Sequence, residues 1–73
     1  MLGDELRKAR LSAGLTQEEL AHRARVSRNY VSELERSAKS PTVDTLLRLC
    51  EAMETRASVL LAAVEAARPG KAR

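Results

Sequence analysis

Residues 27–36 read SRNYVSELER and concentrate hydrogen-bonding side chains in one short stretch. On a helical wheel of about 100° per residue, one side of this stretch is polar and comprises Asn29, Ser32, Glu33 and Arg36. Val31 and Leu34 fall on the other side, and Arg28 lies on the flank. Arginine, asparagine and glutamate can hydrogen-bond guanine, adenine and cytosine in the DNA major groove. The pattern predicts a helix suited to reading base edges, although most polar helix faces serve only solvation.

The spacing before this stretch favours base reading over solvation. Only Arg25 and Val26 separate the preceding helical segment from Ser27, so the two helices must turn sharply against each other. In addition, the outward side chains of the stretch at 27–36 are short or planar hydrogen-bonding groups, with few lysines.

Periodicity and capping residues predict an all-α chain of five helices. Their approximate ranges are Leu2–Ala13, Thr16–Ala24, Ser27–Arg36, Thr42–Met53 and Ala57–Arg68. Gly14 is a typical helix stop, and Thr16 with Glu19 forms a capping-box pattern. Ser27 and Thr42 are good N-caps for the third and fourth helices. We therefore expect one domain over residues 1–68, followed by a frayed basic tail at 69–73.

The apolar residues predict how these helices pack. A core of Leu, Ala and Val without Phe or Trp suits closely packed helices. The first helix would bury Leu2, Leu6 and Ala9. The residues of the fourth helix that would face the core are Val43, Leu46, Leu47, Cys50 and Met53. Cys50 would then be a buried structural thiol. The apolar stripe of the fifth helix is Val59, Leu60, Leu61 and Val64.

Composition argues against several classes of function. His22 is the single histidine and Cys50 the single cysteine, so neither a metal site nor an intramolecular disulfide is expected. We also expect that this protein is not an enzyme, because the sequence has no glycine-rich phosphate loop and no clustered acid–base pair. Without a signal peptide or an apolar run of membrane length, a cytoplasmic protein without membrane contact is expected. No cofactor and no small-molecule ligand are predicted.

Charge alone does not identify a partner. The formal net charge is +3, yet residues 16–37 carry four acids and four arginines. Any affinity for phosphate must therefore depend on where the cations lie.

Four segments together resemble the lambda-repressor-like helix-turn-helix family, the Cro/repressor or XRE type. They are LRKAR at 6–10, GLTQEELA at 14–21, VSRNYVSELER at 26–36 and SPTVDTLLRLCEAM at 40–53. The resemblance implies a compact five-helix DNA-binding domain with the helix-turn-helix at 16–36. It also implies that the third helix enters the major groove of double-stranded DNA.

The resemblance further assigns roles to individual residues. Those implied to read bases are Arg28, Asn29, Ser32 and Glu33. Those implied to contact phosphates are Gln17, Arg36, Lys39 and Ser40, and both Arg25 and Arg23 could add to this group. Arg10 and Glu35 would form an internal ion pair. Two alternatives stay open, since Glu33 could instead pair with Arg36 or Asn29, and Gln17 could merely favour the helix start.

The sequence departs from the family pattern at Arg25 and Ser37. Family members often carry glycine at both places, where the backbone needs a positive φ. A side chain there costs roughly 1–2 kcal/mol. The turn is therefore expected to be altered, or strained.

The function implied is a sequence-specific transcriptional regulator that binds a pseudo-palindromic operator as a homodimer. The fifth helix is the predicted interface, through Val59, Leu60, Leu61 and Val64, unless all four pack on the first and fourth helices. The alternative is a protein-interaction module, such as an antitoxin or co-activator, that uses the same fold.

Overall fold

Five helices make up the computed structural model of this protein, which describes residues 2–67. They are α1 (Leu2–Ser12), α2 (Gln17–Ala24), α3 (Arg28–Glu35), α4 (Val43–Ala52) and α5 (Ala57–Ala67). No strand occurs within this range. The predicted all-α, five-helix fold is confirmed, with bounds that differ by at most one residue. The predicted helix end at Arg68 and the predicted frayed tail at 69–73 lie outside the described residues.

Side-chain caps begin α2, α3 and α4 where the sequence predicts them. At α2 the backbone N–H of Glu19 donates to Thr16 Oγ1 at 3.0 Å, and the N–H of Thr16 donates to Glu19 Oε1 at 2.8 Å. This is the predicted capping box. Ser27 and Thr42 accept from the backbone three residues ahead of them, at 3.0 and 3.1 Å. These caps satisfy N–H groups that the helices leave without partners.

Each of the first four helices is followed, within two residues of its end, by a residue in the left-handed conformation. These residues are Gly14 (φ 74°), Arg25 (61°), Ser37 (61°) and Glu54 (56°). In each case the residue after the left-handed one donates its backbone N–H to the carbonyl of the residue five positions before itself, at 2.8–3.1 Å. Arg25 and Ser37 thus keep the turn that glycine would favour, so this turn is strained and not altered. Glu54 is a third such position that the sequence analysis missed.

The core is built almost entirely from Leu, Ala and Val. Its buried members are Leu6, Leu15, Leu20, Ala21, Ala24, Val31, Leu34, Leu46, Leu49, Cys50, Met53 and Leu60. The prediction that Cys50 is buried is confirmed, and burial raises the pKa of its thiol.

Two predicted core positions of α4 are wrong. Val43 is 75% exposed and Leu47 is 52% exposed, while Leu49 is 1% exposed. Val43 is the first residue of the helix, ahead of the first buried position. Leu47 lies about 100° around the helix from the buried Leu46. The buried arc of α4 is therefore narrower than its apolar composition suggests.

The stripe predicted for α5 is also only partly buried. Leu60 is 4% exposed, but Val59 and Leu61 are 59% and 43% exposed, and Val64 is half-buried. Leu60 therefore belongs to the core formed with α1 and α4. Its side chain is not exposed for the predicted dimer contact.

Helix α2 packs on α3 and α4, and α1 packs on α3 and α5. The approach of α1 to α3 is closest at Gly3. A Cβ atom there would lie 2.6 Å from the carbonyl oxygen of Glu35 and 2.7 Å from that of Leu34. Only glycine lets the two backbones come this near. The sequence analysis assigned Gly3 no role, since a helical glycine carries no signal of its partner.

We predict that Glu54→Gly raises the free energy of unfolding by about 0.5–1 kcal/mol. Relief of the strained φ outweighs the extra entropy that glycine gives the unfolded chain. Glu51→Gly is the matched control, because Glu51 is an exposed glutamate inside α4. That change should lower stability by about 1 kcal/mol. Urea denaturation measures both, and equal destabilisation by the two would contradict the assigned strain.

Candidate nucleic-acid interface

Three residues, Arg25 to Ser27, join α2 to α3. Arg25 in the left-handed region reverses the chain, and the N–H of Val26 donates to the carbonyl of Ala21 at 3.0 Å. Ser27 then returns to extended backbone and caps α3. Because Val26 also packs against the core, this short connection fixes the direction of α3.

The predicted base-reading residues share the solvent side of α3. Arg28 and Asn29 are exposed in its first turn, and Ser32 and Glu33 are partly exposed one turn later. Val31 and Leu34 are 1% and 2% exposed on the opposite side. The helix is therefore anchored by two apolar side chains and presents its polar side outward.

A buried hydrogen-bond network around Glu35 supports α3 from beneath. Arg10 Nε donates to Glu35 Oε2 at 2.6 Å, and Arg10 Nη2 donates to Glu35 Oε1 at 3.0 Å. The two side chains are only 10% and 5% exposed. Arg10 Nη1 donates further to the carbonyl of Leu15 at 2.9 Å. The internal pair implied by the resemblance is thus present, and it ties α1 and the α1–α2 loop to α3.

Gln17 joins the same network. Its Nε2 donates to Glu35 Oε1 at 3.1 Å, so the first residue of α2 contacts the last residue of α3. The residue therefore does more than favour a helix start. Gln17 also borders a shallow depression together with Arg28, which brings a predicted phosphate contact and a predicted base reader side by side.

The remaining predicted phosphate contacts lie in two different places. Arg36, Lys39 and Ser40 are exposed at the end of α3 and in the loop that follows. Arg25 borders a separate depression on the α2–α4 side, with Arg23 and Arg48. The structure therefore groups the loop residues with α3 but places Arg25 apart from Gln17.

Glu33 forms an ion pair that the sequence analysis missed. Its Oε1 lies 3.4 Å from Lys39 Nζ, whereas the alternatives considered were Arg36 and Asn29. Arg36 instead turns back along the helix, where its Nε donates to the carbonyl of Ser32 at 3.4 Å. The signal for the Lys39 pair would have been a left-handed Ser37, which folds the loop back over α3.

Residues 2–67 offer neither a cluster of metal ligands nor a membrane-spanning helix. No group of three or more His, Cys, Asp or Glu side chains there could hold a metal ion. None of the helices in this range is long and apolar enough to cross a membrane.

Comparison with known proteins places this geometry in a family. A model described as helix-turn-helix matches residues 6–60. The chain belongs to the XRE-type helix-turn-helix family. The transcriptional regulator ClgR of Mycobacterium tuberculosis is 44% identical over 61 residues, which are 84% of this chain and 54% of ClgR. The chain thus spans about half the length of that relative.

Solved structures agree with this assignment. The crystal structure of the clp gene regulator ClgR from C. glutamicum superposes with a TM-score of 0.89 at 34% identity, covering 96% of this chain and 91% of that one. The restriction-modification controller protein C.AhdI from Aeromonas hydrophila gives a TM-score of 0.78 at 32% identity, covering 81% and 89%. The resemblance stated from the sequence is confirmed. These relatives are named as regulators or controller proteins, and none of the three is named as an enzyme.

We predict that Arg10→Met lowers the free energy of unfolding by about 3–5 kcal/mol, because it leaves the Glu35 carboxylate buried without its cation. The double variant Arg10→Met/Glu35→Met should lose much less than the sum of the two single changes. Lys8→Met is the control, since Lys8 pairs with Glu5 at 3.5 Å on the same helix but is 72% exposed. It should change stability by about 0–1 kcal/mol. If urea unfolding gave Arg10→Met no larger effect than Lys8→Met, the supporting role would be wrong.

Proposed function

We propose that this helix-turn-helix domain binds double-stranded DNA sequence-specifically and regulates transcription, with α3 in the major groove. The observation that carries the proposal is the exposed polar side of α3 on a helix held by the buried Glu35 network. A helix that reads bases must present hydrogen-bonding groups in fixed positions, because each contact depends on distance and angle.

Each proposed reader has a base that suits its chemistry. Arg28 can donate two hydrogen bonds to guanine O6 and N7, and Asn29 can pair with adenine N6 and N7. Glu33 can accept from the amino group of cytosine, and Ser32 can donate to or accept from either edge. Each good pair discriminates against a wrong base by roughly 1–3 kcal/mol.

Phosphate contacts would flank these readers on two sides. Gln17 stands at the beginning of α2, where the helix dipole favours an anion. Arg36, Lys39 and Ser40 stand beyond the other end of α3. Arg25 would add a contact only on the α2–α4 side. Such contacts orient the domain without reading sequence and make affinity fall with salt.

Selection from randomised duplex DNA at fixed salt tests the proposal. We expect an enriched inverted repeat whose half-site centres lie about 34–36 Å apart. Asn29→Ala should relax the preference at one position in each half-site, at a cost of roughly 1–3 kcal/mol. Ser12→Ala, an exposed change on α1, should leave the motif unchanged. The absence of any motif, with weak binding that disappears on adding salt, would contradict sequence-specific recognition.

We further propose that the domain pairs through α5. Leu61 and Val64 are three residues apart and share one flank of the helix. Val59 lies on the other flank, where it borders a groove against α1. Because Leu61 is 43% exposed and Val64 half-buried, their flank offers an apolar surface that a second copy could cover. Two paired domains would then read two half-sites.

Sedimentation measures this pairing. Leu61→Glu should shift a dimer to monomer and lower operator affinity, because a charge at an apolar contact opposes burial. Leu47→Glu is the control, since Leu47 is 52% exposed on α4 and lies outside the proposed surface. Equal weakening by both variants, or a wild-type chain that remains monomeric on operator DNA, would overturn the α5 interface.

A protein-interaction role is the second candidate, and the exposure of Val43 and Leu47 favours it. The two residues lie one turn apart on α4 and present an apolar surface that the core does not use. DNA binding is preferred because the side of α3 that faces solvent is polar, which fits base edges better than an apolar partner.

A further inference from the structure

The ion pair between Glu33 and Lys39 joins two residues to which the proposed function gives different tasks. Glu33 would read a base, and Lys39 would contact a phosphate. Lys39 Nζ lies 3.4 Å from Glu33 Oε1. The lysine therefore already has a partner in the proposed reading surface.

The backbone at the end of α3 creates this pair. Ser37 takes a left-handed conformation at φ 61°, and the N–H of Ala38 then donates to the carbonyl of Glu33 at 2.8 Å. This hydrogen bond brings the loop back over the helix at the residue whose carboxylate Lys39 contacts. The position of Lys39 is thus set by the helix end.

The pair also matches what a carboxylate needs beside DNA. A glutamate that enters the groove approaches phosphates of its own charge, so it is repelled unless a cation accompanies it. The side chains of Glu33 and Lys39 are 24% and 55% exposed, so DNA could reach both. Within residues 2–67 the pair engages Oε1, and no described hydrogen bond or ion pair engages Oε2. That second oxygen is available to accept from a cytosine amino group.

We propose that Lys39 determines the base preference of Glu33, as a positioning residue that holds and neutralises its carboxylate. The inference rests on the proposed function, since it concerns the specificity of DNA binding. It differs from a phosphate contact in what it affects. Loss of a phosphate contact weakens binding to all sequences alike, whereas loss of a positioning residue changes the preference at one base pair.

Competition binding with the full chain tests this inference. The position read by Glu33 is first identified as the one whose preference Glu33→Gln changes, and four duplexes then carry each base pair there. The wild type should prefer its best base pair by roughly tenfold or more. Lys39→Gln should reduce that preference to about threefold or less, and Lys39→Arg should restore most of it because arginine can keep the ion pair.

Arg36→Gln is the matched control. It removes the same charge from the same end of α3, but Arg36 contacts the carbonyl of Ser32 and not Glu33. It should weaken binding to all four duplexes equally and reduce the salt slope by about 1. Once Glu33 is replaced by Gln, adding Lys39→Gln should have the same uniform effect, because no carboxylate remains to be positioned. Circular dichroism verifies that each variant keeps its helices.

The outcomes separate this inference from the function on which it rests. If Lys39→Gln weakens all four duplexes equally while the wild type keeps a clear preference, Lys39 is only a phosphate contact and the inference fails alone. If Glu33→Gln changes no position in an otherwise specific protein, Glu33 reads no base and the inference fails with that assignment. If the wild type shows no sequence preference at all, the proposed function fails as well.

Discussion

The carboxylate of Glu35 lies where α1, α2 and α3 meet, and it accepts hydrogen bonds from Arg10 and Gln17 at 2.6–3.1 Å. A charge at a side chain only 5% exposed is tolerated because these donors replace the water that it has lost. Packing of Leu, Ala and Val is non-directional, whereas hydrogen bonds require particular distances and angles. The network therefore fixes how the three helices are oriented relative to one another. The same carboxylate therefore holds the base of α3 and the beginning of α2, the two elements that the proposed DNA contact uses.

Strain at the helix ends is the second constraint on this fold. Arg25, Ser37 and Glu54 occupy left-handed positions without being glycine. Each preserves the hydrogen bond that closes its helix and directs the chain that follows. At Arg25 the consequence is the short connection to α3. At Ser37 it is the loop that carries Lys39 to Glu33. Local strain thus shapes both ends of the candidate interface, and the surrounding contacts stabilise it.

Surfaces outside the polar side of α3 also show how a small domain distributes its apolar residues. Exposed apolar residues remain on two helices, Val43 and Leu47 on α4 and Val59 and Leu61 on α5. Each of the five short helices turns only one side toward the core, so apolar residues on its other sides face solvent. A chain of this size cannot cover every apolar residue that its helices carry. The exposed residues are therefore available for contact with a second copy or another protein.

The sequence alone determined the five helices, because periodicity and the caps at Thr16, Ser27 and Thr42 are local signals. Periodicity also indicated the polar side of α3, and the family resemblance supplied the Arg10–Glu35 pair. Only the tertiary structure decided which apolar residues are buried, since burial of Leu49 rather than Leu47 depends on where neighbouring helices lie. It also decided the role of Gly3 and the partner of Glu33. Both depend on contacts between residues that the sequence does not place side by side.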